Sequence, residues 1–291
     1  MTRISLNKRF VGDGEPCFLV AEIGINHNGS LDLAKALIDV AQKSGCDAVK
    51  FQKRTVEVVY SAEELAKPRE NPFGPTNGDL KRGLEFGPKE YEAIDAYCKQ
   101  KKIPWFVSCW DEGSVDFIDR FEVPCYKIAS ASLTDDELLR YTRRKAGDRP
   151  IFLSCGMSTQ EQTDHAVEVL GKDNLVVMHT CSVYPCSYDE LNLAVIPAFK
   201  ERYRIPVGYS GHESGIATTV ASVALGACAV ERHITLDRAM WGSDQAASVG
   251  PSGLNRLVRD IRLVEIALGS PEKRLLEREI PIMKKLRRKG A

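Results

Sequence analysis

Eight times along the chain, a short run of β-branched or aromatic residues is followed by an amphipathic segment, and this period limits the fold more than any other property. The runs are FLVAEIG (18–24), DAVKFQ (47–52), PWFVSC (104–109), VPCYKIA (123–129), RPIFLSC (149–155), NLVVMHTC (174–181), IPVGYSG (205–211) and ACAVERHI (227–234). Each reads as a strand. Between them lie stretches such as LDLAKALIDVAQKSG, KEYEAIDAYCKQKK, DDELLRYTRRKAG, TQEQTDHAVEVLGK and GIATTVASVALGA, several opening on Ser, Thr or Asp and closing on Gly; these are helix signals. Such alternation requires parallel strands joined by helical crossovers. Eight units in 291 residues match an α/β fold of the (β/α)8 TIM-barrel type, for which about 250 residues is typical. No GxGxxG follows the first run, as an open dinucleotide-binding sheet would require.

Two segments stand outside the period. MTRISLNKRFVGDGEP (1–16) reads as a short N-terminal β-hairpin closing the barrel floor. Residues 53–86, with KPRENPFGPTNGDLKRG, form a long polar insertion after the second strand, on the rim where such loops act as lids. The expectation is one barrel domain over 1–291.

Composition narrows the function classes. With 43% hydrophobic residues the chain can bury a substantial core. Forty basic against forty acidic residues leave no global field to attract nucleic acid or an anionic membrane, so any anion must be bound locally. The N-terminus has no apolar h-region, and the longest apolar stretch, 217–230, is too short and too rich in small residues to span a bilayer. The nine cysteines are scattered without CxxC pairs, which suits reduced thiols in cytoplasm.

In a (β/α)8 barrel the chemistry gathers at the C-terminal ends of the strands. Taken in order, the runs end in Glu22; Lys50 and Gln52; Ser108 and Cys109; Lys127 and Ser130; Ser154; Ser182 and Tyr184; Ser210 and His212; and Arg232 and His233. Two lysines and several hydroxyls converging on one mouth suit a small, multiply charged anion bearing phosphate or carboxylate. His212 and His233, on adjacent strands, are placed to share one metal ion; imidazole suits Mn, Fe, Co, Zn or Ni, and oxygen-rich surroundings favour Mn or Mg. Glu231 and Arg232 would orient and neutralise their neighbours. His27, His165 and His179 read as structural, and with no Cys–His pairing a thiol nucleophile finds no support.

The segments AEIGINHNGS, VKFQK, LEF, YKI, LSCGMST, SVYP, GYSGHE, ERHITLD and GSDQAAS, spread over about 16–286, resemble the sialic acid (N-acetylneuraminate) synthase family. The resemblance implies a barrel that condenses phosphoenolpyruvate with an aldose such as N-acetylmannosamine or its 6-phosphate, giving a 2-keto sugar acid and phosphate. It implies phosphoenolpyruvate on Lys50, Cys109, Lys127, Ser130, Ser154, Ser182 and Ser210; acceptor sugar on Glu22, Gln52, Tyr184 and Asp244; and a divalent metal, Mn2+ or else Mg2+ or Co2+, on His212 and His233. The lysines would stabilise developing charge, Glu22 would handle protons, and a homodimer is expected. Related synthases of legionaminic, pseudaminic or deaminated acids, an inactive phosphosugar-binding barrel, and an aldolase using Lys127 or Lys50 as a Schiff base remain alternatives.

Two departures touch the acceptor side. The fourth strand continues IASASLTDDELL where the family carries Gly-Ser-Gly and an acidic residue, so Ser132 stands in for the acid. The chain ends at KKLRRKGA, where family members continue into a small antifreeze-like domain; without it, Lys67, Arg69 and Lys81 of the insertion become candidates to cover the acceptor.

Overall fold

Each of the eight apolar runs forms a strand, and together the strands close on themselves. A computed structural model describes residues 2–290. The chain opens with β1 (Arg3–Leu6) and β2 (Arg9–Gly12), an antiparallel pair in register from Arg3↔Gly12 to Leu6↔Arg9. Then come β3 (Phe18–Gly24), β4 (Ala48–Lys53), the small β5 (Pro68–Asn71) and β6 (Gly74–Thr76), β7 (Trp105–Cys109), β8 (Tyr126–Ile128), β9 (Ile151–Ser154), β10 (Leu175–Thr180), β11 (Val207–Gly211) and β12 (Ala229–His233). All but the first two and β5–β6 form one closed parallel barrel, β12 returning to pair with β3 in register from Ala229↔Phe18 to His233↔Glu22. The fourth barrel strand is shorter than its run, because Pro124 has no amide to donate to a ladder.

The crossover helices are α1 (Leu31–Ser44), then α2 (Val56–Val59), α3 (Ala62–Ala66) and α4 (Asn77–Leu84) in the insertion, and after it α5 (Pro88–Lys101), α6 (Glu112–Asp119), α7 (Asp136–Ala146), α8 (Gln160–Leu170), α9 (Val195–Tyr203), α10 (Ala217–Ala224) and α11 (Pro251–Leu268); α12 (Ile280–Leu286) follows the barrel. Their ends are written locally. Ser30 caps α1 by accepting from Leu33 N, and Gly45 ends it in the left-handed region at φ 83°, a conformation glycine adopts without steric cost.

Inside the barrel, side chains alternate inward and outward along each strand. Phe18, Phe106 and Phe152, from alternate strands, stack with centroids 5.9–6.1 Å apart and plug the lower barrel. Above the rings, β7 and β9 present Ser108 and Ser154, and β3, after Val20, presents Glu22. At the opposite end the expected hairpin is the floor: Ile4, Leu6 and Val11 are buried, and Asn7 lies beside Pro104 and Pro124, which precede β7 and β8.

The insertion is not a bare loop. The Thr76–Asp79 capping box starts α4, and Glu85 fastens its far end, pairing with Arg54 at 2.7 Å and Lys53 at 3.3 Å. Phe73, at the β5–β6 tip, meets Trp241 of the β12–α11 loop edge-on at 6.3 Å. Among the described residues, no helix is long and apolar enough to cross a membrane.

Candidate active site

A cavity of about 200 Å3 opens at the C-terminal ends of the barrel strands. Its base is made by side chains almost without solvent contact. Lys50 Nζ lies 2.9 Å from Glu22 Oε2 and 3.6 Å from Glu231 Oε1 and donates to Ser108 Oγ at 2.8 Å. Lys127 Nζ donates to Ser154 Oγ and to the Ile128 carbonyl at 3.1 Å. Ser130, Ser182 and Ser210 complete the hydroxyl wall, and Gln52 Nε2 donates to Glu22 Oε1 at 3.1 Å. Tyr184, 45% exposed, stands at the outer edge.

The charges here are strongly shaped by burial. Removal from water pulls the Lys127 ammonium down to about 8, and Lys50 repels it further, although Glu231 and Glu22 oppose the shift. Burial likewise opposes the charge on Lys50, but Glu22 and Glu231 outweigh it and hold that ammonium above its ordinary range. Glu22 is pushed up by burial against the pull of Lys50, whereas Glu231 is held low by Lys50 and Lys127 despite burial. Two lysines and two carboxylates thus sit in one buried cluster, Lys127 being the cation without a close carboxylate.

The two histidines meet at the cavity edge with ring centroids 5.5 Å apart. His212 Nδ1 is 2.6 Å from the Cys181 carbonyl, which can only accept, so the proton is on Nδ1 and the Nε2 lone pair is free. Burial, then the neighbouring His233, holds this ring neutral by lowering it to about 4. His233 Nδ1 is buried without a hydrogen-bond partner. Free imidazole nitrogens next to two carboxylates fit a divalent cation. Among the described residues no group of three or more His, Cys, Asp or Glu converges on one point, so the pair would leave the other coordination positions to water and substrate.

Of the residues singled out from the sequence, Glu22, Lys50, Gln52, Lys127, Ser130, Ser154, Ser182, Tyr184, Ser210, His212 and His233 line this cavity. Asp244 stands just behind it, Oδ2 3.8 Å from His233 Nδ1. The expectation for Cys109 is corrected. It lies one residue out of phase with Ser108, so its side chain faces the helical layer, with Sγ 3.6 Å from the Ser114 carbonyl. Ser108 occupies the inward position. Ala131 rather than Ser132 faces the cavity, Ser132 being buried beneath. Lys67, Arg69 and Lys81 are absent from its wall; Arg69 and Lys81 line a neighbouring cleft with Trp241. Arg232 turns outward and is spent on Glu213 at 3.0 Å. His27 stacks on Phe86 at 4.0 Å and exposed His165 pairs with Asp136, as structural histidines do.

Sequence reasoning missed Trp110, Met157 and Thr180 in the wall, and Glu231 as a wall residue rather than an orienting one. Glu231 carried a signal: it is two residues from His233 and so shares its face. Trp110 and Met157 lie beyond strand ends, where no period reaches. Also unannounced is a pair of thiols, Cys181 and Cys186, with sulfurs 2.8 Å apart.

Fold and cavity together define a (β/α)8-barrel enzyme whose mouth gathers two buried lysines with two carboxylates. The chain belongs to the NeuB family, whose family model matches residues 37–273. It is similar to N-acetylneuraminate-9-phosphate synthase of Homo sapiens, 40% identical over 283 residues that make up 96% of this chain and 78% of that protein. It is similar also to N,N'-diacetyllegionaminic acid synthase of Legionella pneumophila, 34% identical with 95% of this chain and 80% of that one covered. A crystal structure of N-acetylneuraminic acid (sialic acid) synthetase from Leptospira borgpetersenii in complex with citrate matches with a TM-score of 0.86 at 28% identity, over 99% of this chain and 98% of that one.

Proposed function

We propose that this barrel joins phosphoenolpyruvate to an N-acetylmannosamine-like aldose, forming a nonulosonic, sialic-acid-type 2-keto acid and phosphate. The observation that carries the reading is Lys127, a buried ammonium backed by Ser154 and lacking a close carboxylate, beside the carboxylate-paired Lys50. An anion with both phosphate and carboxylate neutralises such a pair.

In this reading Lys50, Lys127 and the serines hold phosphoenolpyruvate with C3 toward the rim, and Glu22, Gln52, Tyr184 and Asp244 receive the sugar. C3 attacks the aldehyde carbon and water adds to C2. The resulting tetrahedral hemiketal phosphate collapses with C–O cleavage and phosphate leaves. The two ammonium groups stabilise charge growing on phosphate and carboxylate without reorganising. Glu22, raised by burial, can carry a proton to or from the sugar oxygen. His212 and His233 would hold a divalent ion, Mn2+ first and Mg2+ or Co2+ next, which supplies Lewis-acid polarisation of the aldehyde oxygen. The same reading carries with it one barrel domain over 1–291, a homodimer and a cytoplasmic setting.

The test is phosphate release from phosphoenolpyruvate with Mn2+ and a panel of aldoses: N-acetylmannosamine, its 6-phosphate, a diacetamido hexose and neutral hexoses, with the keto acid read by mass spectrometry. One acceptor is expected to stand out; no phosphate with any of them sinks the reading. A second reading rests on the lowering of Lys127 to about 8, which suits a Schiff-base aldolase. Borohydride trapping with pyruvate decides it, and no adduct is expected.

A further inference from the structure

Ser182 and Tyr184 reach the cavity on the segment that leaves β10, and a thiol stands at each end of that segment. Cys186 points its S–H at Cys181 Sγ with the sulfurs 2.8 Å apart, closer than two sulfurs rest in ordinary contact and within about 0.8 Å of the ~2.05 Å bond of a disulfide. The two thiols differ in access. Cys181 lines a solvent-open cleft of about 600 Å3 between the β9–α8 and β10–α9 loops, and Cys186 is buried at 5% exposure. The Glu190 carboxylate lies 3.6 Å from Cys186 Sγ.

Both ends of this segment are tied to one of the candidate metal-holding residues. The Cys181 carbonyl accepts from His212 Nδ1 at 2.6 Å, and Cys186 N donates to the His212 carbonyl at 3.1 Å. Tyr184 stacks on the His212 ring with centroids 3.9 Å apart. Any change in the sulfur–sulfur separation is therefore transmitted to Tyr184, Ser182 and His212 through short, direct contacts.

We propose that Cys181 and Cys186 form a dithiol–disulfide couple that a small peroxide oxidises and that switches the site off. The Cys181 thiolate attacks one peroxide oxygen, the O–O bond breaks, and water leaves with a sulfenic acid on Cys181. Cys186 then attacks the Cys181 sulfur, its proton passing by way of Glu190 to the departing hydroxide, so that a second water leaves and the S–S bond forms. Two thiols and one peroxide give one disulfide and two waters. Closing the sulfur gap draws the ends of the segment together and shifts its middle, where Ser182 and Tyr184 sit. A misplacement of about 1 Å at a positioned group costs on the order of 10²-fold in rate. The disulfide rests on geometry alone; its effect on turnover rests on the condensation reading.

The experiment treats the full, reduced chain with a small excess of hydrogen peroxide, alkylates free thiols, and maps peptides without reduction. The expected first product is an intramolecular Cys181–Cys186 link, two hydrogens lighter than the dithiol and reversed by dithiothreitol. Phosphate release with the accepted sugar falls at least tenfold over the same time course and returns on reduction. Cys186→Ser keeps the reduced-state activity, forms no link, and accumulates a Cys181 sulfenic acid that dimedone traps. The couple is overturned if both cysteines are recovered alkylated while other cysteines oxidise. The switch is overturned if the link forms and turnover does not change, or if the Cys186→Ser protein inactivates reversibly at the wild-type rate. Because the link is read by mass, a protein that condenses no sugar overturns the proposed reaction while leaving the couple to be judged by its peptide map.

Discussion

Lys127 is the residue on which burial and function pull hardest against each other. Its ammonium sits among buried groups with a hydroxyl and a carbonyl for company, and burial lowers it to about 8. In the proposed reaction it is the protonated form that binds phosphoenolpyruvate, and the free site loses that proton as pH rises through about 8. kcat/KM for phosphoenolpyruvate should therefore be insensitive to Lys127 below that point and fall about tenfold per pH unit above it. Lys127→Met should cost roughly 10²–10³-fold in kcat/KM, the scale of losing one preorganised charge-stabilising group, with the far-ultraviolet spectrum unchanged. Steady-state kinetics across pH 6–10 check both. Lys127 was legible in the sequence as a polar residue ending an apolar run; its depressed proton affinity was not, because that depends on burial inside the closed barrel and on Lys50 arriving from another strand.

The strand is the element whose alternation decides which residues work. In β7, Ser108 faces Lys50 and Cys109 faces Ser114; in β12, Glu231 and His233 face the cavity and Arg232 faces Glu213. Ser108→Ala should raise KM for phosphoenolpyruvate, removing a hydrogen bond to a charged group of about 1.5–3 kcal/mol. Cys109→Ala should leave kinetics alone and cost about 1 kcal/mol of stability as a small buried hydrophobe. Equal effects on both kinetics and stability would contradict the alternation. Arg232→Met leaves the Glu213 carboxylate buried and unpaired, which costs about 3–5 kcal/mol. Urea denaturation should show that loss, and part of it should return when Glu213→Gln is added. The eight strands and the set of strand-end polar residues were readable because period and alternation are local. The Cys109 expectation missed because a residue at the last strand position was assigned a direction from resemblance, when counting from Lys50 and Phe106 in register points inward at Ser108.

The molecule as a whole sets the rim through contacts between segments far apart in sequence. Phe73 of the insertion and Trp241 of the β12–α11 loop join two rim pieces on the side proposed for the acceptor, and Asp244 follows three residues after Trp241. Phe73→Ala should raise KM for the sugar by up to about tenfold, matching the ~0.5–1.5 kcal/mol of an aromatic pair, and leave KM for phosphoenolpyruvate unchanged. Equal changes in both would assign the insertion to the whole mouth rather than to its sugar side. The sequence offered the polar 53–86 segment as a lid over the acceptor side, but not its aromatic contact with Trp241 or its anchor at Glu85, which act through pairings that no local pattern reports. The same holds for the two thiols, five residues apart with no familiar spacing.

The phenylalanine plug under the mouth has a kinetic consequence. With Phe18, Phe106 and Phe152 filling the barrel below and the hairpin beneath them, substrates and products share a single doorway. The groups assigned to phosphoenolpyruvate lie at its inner end, at 3% exposure for Lys50, Lys127 and Ser154, while Tyr184 at 45% marks its outer end. In the proposed reaction a sugar seated first would bar the way inward, so phosphoenolpyruvate is expected to bind before it. A dead-end analogue of phosphoenolpyruvate should inhibit competitively against phosphoenolpyruvate and noncompetitively against the sugar, whereas a sugar analogue should inhibit uncompetitively against phosphoenolpyruvate.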